Sequence, residues 1–261
     1  MPPLDLLDLP RLVGVLAIAT ARLIGMFLVV PIFGRHMMPH LARGGVTIAL
    51  ALPVMAHVAG AKPTGLEVSA LRMLGLSCKE LLLGYALGVP VSAAIWAMEA
   101  AGSFVDEQRG ASLQAQVNPT TGHQTSPIGI FMSTLYTAWL IITGGLSDLL
   151  AALYHSYLMW PLWSFQPSFG PRFISDALTL ADDIMRLTLL ISGPAIVAMF
   201  LSEFGLALIG RFAPQLQVFY AAMSVKSIVG LLLLMFSLTI VLSDAANHAP
   251  SPIAFVTRLT K

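Results

Sequence analysis

Six long apolar stretches dominate the sequence, and they limit the folds that the chain can adopt. They run over residues 12–33, 44–61, 71–98, 128–160, 185–210 and 217–243. A helix needs about 20 apolar residues to cross the hydrocarbon core of a bilayer. Backbone groups in an apolar medium must be hydrogen-bonded within their own segment, which a helix achieves and a lone strand does not. We therefore predict helices in all six stretches.

The composition indicates that these helices are covered by something other than water. Hydrophobic residues make up 57% of the 261 residues, and charged residues make up only 10%. Soluble domains carry about 25% charged residues, because a small globule needs polar groups to cover its surface. Lipid or partner proteins must therefore cover the excess apolar surface of this chain.

Charges and prolines inside the stretches favour protein neighbours over lipid. Arg22 lies in the middle of the first stretch, Glu80 near the start of the third and Glu203 late in the fifth. A charge at the centre of a membrane costs about 2.5–3.5 kcal/mol on insertion scales, so it usually faces protein or a water-filled cavity. Prolines, which bend helices, interrupt three stretches at Pro53, Pro90 and Pro194. We expect broken helices that pack against other helices.

The sequence predicts a single domain over residues 1–261, with no internal repeat of fixed period and no low-complexity tract. The N-terminus lacks the basic region of a signal peptide and carries Asp5 and Asp8, so we expect the first apolar stretch to remain in the mature protein. Ile128–Ser147 is uncharged and long enough to cross a membrane as one helix. Gly84 and Gly88 form a G-x-x-x-G pattern, which permits close approach of two helix backbones.

Sequence motifs for catalysis, nucleotide binding and metal binding are absent from the chain. His36 and His40 are four residues apart, but Pro39 lies between them and no carboxylate or thiol is near in sequence. We expect Cys78 to be a buried small hydrophobe. The net charge of +1 argues against a nucleic-acid partner, which needs clustered Lys and Arg. We predict a protein that is not an enzyme and that binds no metal, cofactor or nucleic acid.

The polar side chains in and beside the apolar stretches have two interpretations. Glu80, Glu99, Asp106, Glu203 and Lys226 can form a proton or ion relay, as in transporters, or they can pair across helix interfaces. We favour pairing. The full set of candidates for contacts between helices or subunits is Arg22, Glu80, Glu99, Asp106, Gln108, Arg109, Glu203, Arg211, Gln215 and Lys226.

Three segments of the chain match sequence motifs of one known family. The first segment comprises residues 22–27 and 31–34. The second runs from Glu99 through Asp-Glu-Gln-Arg-Gly at 106–110 to Asn-Pro at 118–119. The third comprises residues 203–219 and 223–227. They resemble the T component of the type III secretion export apparatus, the SctT and FliR family. Asn118, Gln217 and Ser224 depart from the family pattern, and Asn118 removes a charge from its loop. The segments 108–112 and 156–161 look more like the injectisome branch than the flagellar branch.

The resemblance implies an all-helical subunit of a helical, cone-like export gate at the bacterial inner membrane, multi-pass by sequence but located at or above the outer leaflet once assembled. Its implied partners are several copies of the R and S components, the U switch component and the unfolded proteins that the gate conducts. In the family, the segment after the Asp-x-Gln-Arg-Gly motif reaches toward the closed pore. The corresponding plug residues here are Gln116, Val117, Asn118, Pro119, Thr120, Thr121, Gly122, His123 and Gln124.

Two alternatives stay open at this point. Residues 116–127 are instead an ordinary surface connector if they do not reach the pore. The chain is instead a secondary transporter of a small solute if Glu80, Glu203 and Lys226 act as coupling groups. That second alternative predicts paired repeats, which the sequence does not show, and activity of this chain by itself.

Overall fold

A computed structural model describes residues 9–34, 38–59, 70–110, 126–165, 173–212 and 218–248. Within these ranges the regular structure is helical and contains no strand, which confirms the predicted all-helical fold. A 3₁₀-helix at Pro31–Phe33 follows the first helix. The helices are α1 (Leu9–Val29), α2 (His40–Ala59), α3 (Ala70–Gln108), α4 (Pro127–Ile142), α5 (Gly145–Met159), α6 (Phe173–Phe212) and α7 (Val218–His248).

The uncharged stretch at Ile128–Ser147 is not one helix, so the prediction of a single uninterrupted span there is wrong. Helix α4 ends before Thr143, whose backbone N–H donates to the carbonyl of Trp139. Gly144 then has a φ of 89°, a left-handed conformation that glycine adopts without the steric cost met by other residues. The chain therefore breaks at Gly144 and starts α5 as a separate, bent continuation.

The three prolines of the apolar stretches lie inside continuous helices. Pro53 is within α2, Pro90 within α3 and Pro194 within α6. Near Pro90, the hydroxyl of Ser92 donates to the carbonyls of Gly88 and Val29, at 2.9 and 3.0 Å. This hydroxyl therefore connects α3 to α1 beside Pro90.

The chain forms two compact units, and α3 and α6 contribute to both of them. Of the described residues, those up to 92 and those from 144 to 177 form the first unit, and those from 93 to 143 and from 178 to 248 form the second. The single domain over residues 1–261 remains a prediction.

In the first unit, α1 and α3 touch through their backbones at glycines. A Cβ atom added to Gly84 would lie 1.8 Å from the carbonyl oxygen of Arg22, and one added to Gly25 would lie 2.1 Å from that of Leu81. One added to Gly88 would lie 3.1 Å from the oxygen of Met26. The G-x-x-x-G pattern therefore does bring two helices together, as small residues do at membrane helix interfaces.

In the second unit, the last turns of α3 pack on the first turn of α4. A Cβ atom on Gly102 would lie 2.6 Å from the Cα of Gly129, and one on Gly129 would lie 2.8 Å from the carbonyl oxygen of Glu99. Helices α6 and α7 meet where the sulfur of Met199 lies beside Gly230. Both units thus use glycine to place helix backbones in contact.

By length and composition, two helical segments of the described residues can cross a membrane, and a third can if α4 and α5 form one broken span. The two are Leu71–Gln108 and Ser175–Phe212. The apolar window of the first is 67% buried inside the chain, whereas that of the second is only 28% buried. The chain is thus a membrane protein whose long helices differ in how far the chain itself covers them.

Candidate functional site

A charged pair joins α1 to α3 in the interior of the first unit. Arg22 and Glu80 both have no exposed side-chain surface, and the Nε of Arg22 donates to Oε2 of Glu80 at 2.6 Å. The close approach of the two helices at Gly84, one turn along α3 from Glu80, makes this short bond possible. The two side chains that most argued against a lipid environment are therefore paired with each other.

The other nitrogens of Arg22 reach the end of α5. Nη1 donates to the hydroxyl of Ser156 at 2.9 Å, and Nη2 donates to the carbonyl of Trp160 at 3.0 Å. The guanidinium carbon also lies 4.1 Å from the centre of the Tyr157 ring, a cation–π contact. The planar fork of one arginine thus connects three helices, a geometry that lysine cannot reproduce.

Lys79 adds a second cation at the same helix end. Its Nζ lies 2.6 Å from Oε1 of Glu80. It also donates to the carbonyls of Pro161, Leu162 and Ser164, at 3.2, 3.3 and 2.8 Å. These carbonyls follow the C-terminus of α5, where the helix leaves acceptors without intrahelical partners and carries partial negative charge.

We call Arg22, Lys79, Glu80, Ser156, Tyr157 and the carbonyls of residues 160, 161, 162 and 164 the Arg22 cluster. Its two cations face one carboxylate and a set of carbonyl dipoles, so the helix end supplies the balance of negative charge. Breaking one partner of a buried ion pair costs about 3–5 kcal/mol, because the other charge is left uncompensated. This arrangement is suited to fixing three helices together rather than to releasing or accepting ions.

Two tyrosines fasten α5 to the other helices of the first unit. The hydroxyl of Tyr157 donates to the carbonyl of Ala19 in α1 at 2.8 Å, and that of Tyr154 donates to the carbonyl of Leu50 in α2 at 3.1 Å. The residues of α5 were not among the candidates from sequence. The only sequence signal for them was the run from Ser156 to Pro161 that resembles the injectisome branch.

A second polar cluster lies in the second unit, where α3 ends and α4 begins. Asp106 is 3% exposed. Its Oδ1 accepts from Nε of Arg109 at 2.7 Å and lies 2.6 Å from Nη2 of the same residue. Its Oδ2 accepts from the hydroxyl of Ser126 at 2.5 Å and from the backbone N–H of Ile128 at 2.9 Å.

The start of α4 explains why a carboxylate is placed there. Ser126 is the N-cap, and its hydroxyl accepts from the backbone N–H of Gly129 while donating to Asp106. Pro127 follows as the first helical residue, a position where its missing N–H costs nothing. The negative charge of Asp106 faces the N-terminus of α4, where free N–H groups and the helix dipole favour an anion. We call Asp106, Arg109, Ser126 and the N–H of Ile128 the Asp106 clasp.

A third pair connects α6 to α7. The Nζ of Lys226 lies 2.6 Å from Oε2 of Glu203, and the two side chains are 11% and 48% exposed. Exposed apolar side chains surround Glu203 on α6, and they include Phe200, Leu201 and Phe204. This carboxylate therefore stays partly open at an otherwise apolar surface.

Three further sequence candidates lie among the described residues and are not part of these clusters. Glu99 and Arg211 are exposed, and Gln108 is partly buried. Gln215 and the nine predicted plug residues, 116–124, lie outside the described residues. Cys78 is exposed, so the expectation of a buried cysteine is wrong.

The described residues contain no group of three or more His, Cys, Asp or Glu side chains that could hold a metal ion. An open, apolar cavity of about 350 Å³ lies between α2 and α5 in the first unit. Its lining residues are Pro53, Val54, Ala151, Tyr154, His155, Tyr157 and Leu158. Within this cavity, His155 is not accompanied by a carboxylate or nucleophile with which it could form a catalytic pair.

Comparison with known families gives one match that spans nearly the whole chain. Residues 13–249 match the family described as "Bacterial export proteins, family 1". This range contains the Arg22 cluster, the Asp106 clasp and the Glu203–Lys226 pair.

Individual relatives agree with this match. The chain is 35% identical over 244 residues to the Yop proteins translocation protein T of Yersinia pestis, covering 93% of this chain and 92% of that protein. It is 30% identical to the surface presentation of antigens protein SpaR of Salmonella typhimurium, covering 91% and 88%. It is 28% identical to the flagellar biosynthetic protein FliR of Bacillus subtilis, covering 87% and 86%.

Proposed function

This chain belongs to family 1 of the bacterial export proteins, and on that premise we propose that it is a core, non-enzymatic subunit of the export gate of a type III secretion system. In this role it forms part of the channel through which unfolded proteins leave the cell. The match over residues 13–249 is the observation that carries the proposal. The names of the relatives concern the translocation of Yop proteins and the surface presentation of antigens.

The injectisome branch is favoured over the flagellar branch. Relatives named for Yop translocation and antigen presentation are 35% and 30% identical to this chain, whereas a flagellar relative is 28% identical. We place the subunit in the bacterial inner membrane, at or above its outer leaflet once it is assembled.

The geometry of Glu80 argues against the transporter alternative. A coupling group must exchange a proton or ion with water, yet Glu80 is fully buried and held between Arg22 and Lys79. The cations are in turn bound to the end of α5. Releasing the carboxylate would break a buried network, which costs several kcal/mol. A structural role in a stable subunit fits this arrangement better.

The exposed surface of α6 supports assembly with other subunits. Only 28% of the apolar window in Ser175–Phe212 is buried by the chain itself, and Glu203 lies within this segment. Lipid alone would leave a half-exposed carboxylate in an unfavourable environment. We propose that R and S components cover this helix, that the U switch component joins the same machine, and that secreted unfolded proteins are transient partners.

The assembly is tested by extracting the membrane with mild detergent and purifying this chain through a tag. The expected product is a large complex in which the chain is a minority species beside R and S components. A monodisperse single chain that transports a solute into vesicles would instead support the transporter. The control is a membrane that lacks the R and S components.

We also propose that residues 116–124 plug the channel at rest. The support is the family resemblance of the motif that precedes them and the position of the Asp106 clasp at both ends of residues 111–125. Deletion of residues 118–124 is expected to raise the ion conductance of the reconstituted gate. The deletion stops before Ser126, since that residue caps α4. Unchanged conductance in a fully assembled gate would contradict the plug.

A further inference from the structure

The two partners of the Glu203–Lys226 pair are covered unequally by the second unit. The side chain of Lys226 is 11% exposed and that of Glu203 is 48% exposed, although the two charged groups lie only 2.6 Å apart. The second unit thus covers the cation and leaves the carboxylate open. A molecule that docks on this side of α6 therefore meets negative charge.

The surface around the open carboxylate is apolar. Phe200 and Ala207 lie about one turn before and after Glu203, on the same side of α6, and both are exposed. Phe204 follows Glu203 directly and is also exposed. An exposed apolar patch marks a contact surface rather than a surface for water, and lipid chains do not stabilise a charge. The patch therefore fits a protein surface that is apolar and carries a positive charge.

The described part of the chain supplies Glu203 with one cation, Lys226. The next basic residue along α6 is Arg211, which is exposed. Eight residues separate it from Glu203, a distance of about 12 Å along a helix axis. A second positive charge at Glu203 would thus come from another molecule.

Glu80 shows how this chain stabilises a carboxylate in an apolar helix. One of its oxygens lies 2.6 Å from Nε of Arg22, and the other lies 2.6 Å from Nζ of Lys79. With two cations, the carboxylate is fully buried, an environment that an unpaired charge does not tolerate. Relative to Glu80, Glu203 lacks one cation and the burial that accompanies it.

We propose that a basic side chain on a membrane helix of an R or S component binds the open side of Glu203, so that in the assembled gate this carboxylate also lies between two cations. Phe200, Phe204 and Ala207 form the apolar part of the same contact. The inference rests on the proposed function, because it requires the assembled gate. It adds the chemistry of the partner, which is an apolar helix face that carries a Lys or Arg.

The first test reverses the pair. Glu203→Lys combined with Lys226→Glu keeps an ion pair between α6 and α7 but presents a cation at the open position. The tagged variant is expressed with the R, S and U components and extracted in mild detergent. Recovery of R and S components is expected to fall about tenfold or more, since like charges then meet in the interface. Recovery equal to that of the parent chain would overturn the proposal, because the pair would then matter only inside this chain.

Glu203→Gln tests the same contact with a smaller change. It keeps the shape of the side chain and an acceptor oxygen but removes the charge. A cationic partner predicts a loss of R and S components, whereas a partner that is a neutral donor predicts normal recovery and overturns the proposal. Thermal unfolding of each variant chain in detergent shows that its fold is retained.

Asp182→Asn is the matched charge control. Asp182 is exposed on the same helix but lies outside the apolar stretch at 185–210. It removes the same charge as Glu203→Gln and is expected to leave recovery unchanged. An equal loss with Asp182→Asn would assign the effect to net charge and reject Glu203 as the contact.

The second test restores the contact from the partner side. Each Lys and Arg in the apolar segments of the R and S components is changed to Glu, one at a time, in the presence of the reversed pair. One of these changes is expected to restore recovery, and the same change opposite the parent chain is expected to lower it. If no change restores recovery, the second cation is rejected.

A photoreactive amino acid in place of Phe204 identifies what covers the patch. Irradiation of intact membranes is expected to crosslink this position to an R or S component. Crosslinks to lipid alone, or to a second copy of this chain, would overturn the proposal. If the parent chain recovers no R or S component at all, the proposed function itself fails. If the complex forms normally with every Glu203 variant, this inference alone fails.

Discussion

The Arg22 cluster and the Glu203–Lys226 pair both place charges in apolar helices, yet they differ in how completely the chain satisfies them. Arg22 and Glu80 have no exposed side-chain surface, and their partners include three helices of one unit. Glu203 is 48% exposed, with Lys226 as its ion-pair partner. The first charge network is thus complete within the chain, whereas the second is open toward whatever covers α6.

The helices that bear these charges also differ in how much of their apolar surface the chain itself buries. The apolar window of Leu71–Gln108, which carries Glu80, is 67% buried by the chain, and that of Ser175–Phe212, which carries Glu203, is 28% buried. Burial by the chain itself thus accompanies complete pairing of the charge. We infer that the first unit is built around a self-contained core, and that α6 is built to be covered by another molecule.

The largest effect is expected from Arg22→Met, which keeps a long unbranched side chain without the guanidinium and leaves Lys79 as the ion-pair partner of Glu80. The variant loses the three buried hydrogen bonds of the guanidinium to Glu80, Ser156 and Trp160. Hydrogen bonds to charged groups contribute about 1.5–3 kcal/mol each, so we expect the free energy of unfolding to fall by several kcal/mol. Thermal unfolding of the purified chain in detergent measures this loss. Arg22→Lys keeps the charge without the planar fork, so its free energy of unfolding should fall between those of the parent chain and Arg22→Met.

The control for Arg22→Met is Arg186→Met, since Arg186 is exposed on α6. Exposed substitutions usually change stability by less than about 0.5 kcal/mol. Equal losses for the two variants would mean that the interior of the first unit does not depend on the Arg22 cluster.

A smaller effect is expected from Gly84→Ala, which tests the backbone contact that brings Arg22 to Glu80. The new methyl group would lie 1.8 Å from the carbonyl oxygen of Arg22, so α1 and α3 must move apart. Overpacking of this kind lowers the free energy of unfolding by about 1–3 kcal/mol. The melting temperature in detergent reports the change.

Gly44→Ala in α2 is the control, because it is expected to raise the free energy of unfolding rather than lower it. No atom lies within 4 Å of a Cβ built at Gly44, and alanine favours a helix over glycine by about 1 kcal/mol. We expect Gly44→Ala to stabilise the chain slightly. If Gly44→Ala destabilises the chain as much as Gly84→Ala does, the effect of Gly84→Ala does not come from close packing of the two helices.

The smallest effect on the isolated chain is expected from breaking the Glu203–Lys226 pair. Partly exposed ion pairs contribute about 0–1 kcal/mol, so Glu203→Gln and Lys226→Met should each have little effect on thermal unfolding. The coupling between them is measured with a double-mutant cycle. The same variants should reduce recovery of R and S components with the tagged chain, because Glu203 lies on the surface that we propose they cover.

A loss of several kcal/mol in the isolated chain, with normal recovery of partners, would place the Glu203–Lys226 pair beside the Arg22 cluster as internal structure.

The sequence was sufficient to predict the helices and the residues Arg22 and Glu80, because a charge in an apolar stretch needs a partner. It could not predict that Lys79 binds the carbonyls of residues 161, 162 and 164, since backbone acceptors at a helix end have no signature in side-chain identity. The pairing of Asp106 with Ser126 was also hidden, because it depends on where the chain returns after residues 111–125. Apolar length alone did not reveal the break at Gly144.

Sequence could not distinguish the two charge networks either. Glu80 and Glu203 both occur in proline-containing apolar stretches, and both are paired with a lysine. The two networks differ because α5 packs against the network of Glu80 in the first unit. Glu203 lies in the second unit, which does not contain α5. Long-range packing of this kind is a tertiary property that local composition does not encode.

The order in which the Arg22 cluster is synthesised has a consequence for biogenesis. Glu80 follows Arg22 by 58 residues, but Ser156 follows it by 134 and Trp160 by 138. At translation rates of about 5–20 residues per second, several seconds pass between the arrival of the carboxylate and that of α5. During this interval Arg22 and Lys79 have Glu80 as a partner but lack the acceptors at the end of α5. Until the fifth helix has been synthesised, Ser156 and the carbonyl of Trp160 cannot bind Arg22, so the first unit can complete its interior only after about 160 residues have been made.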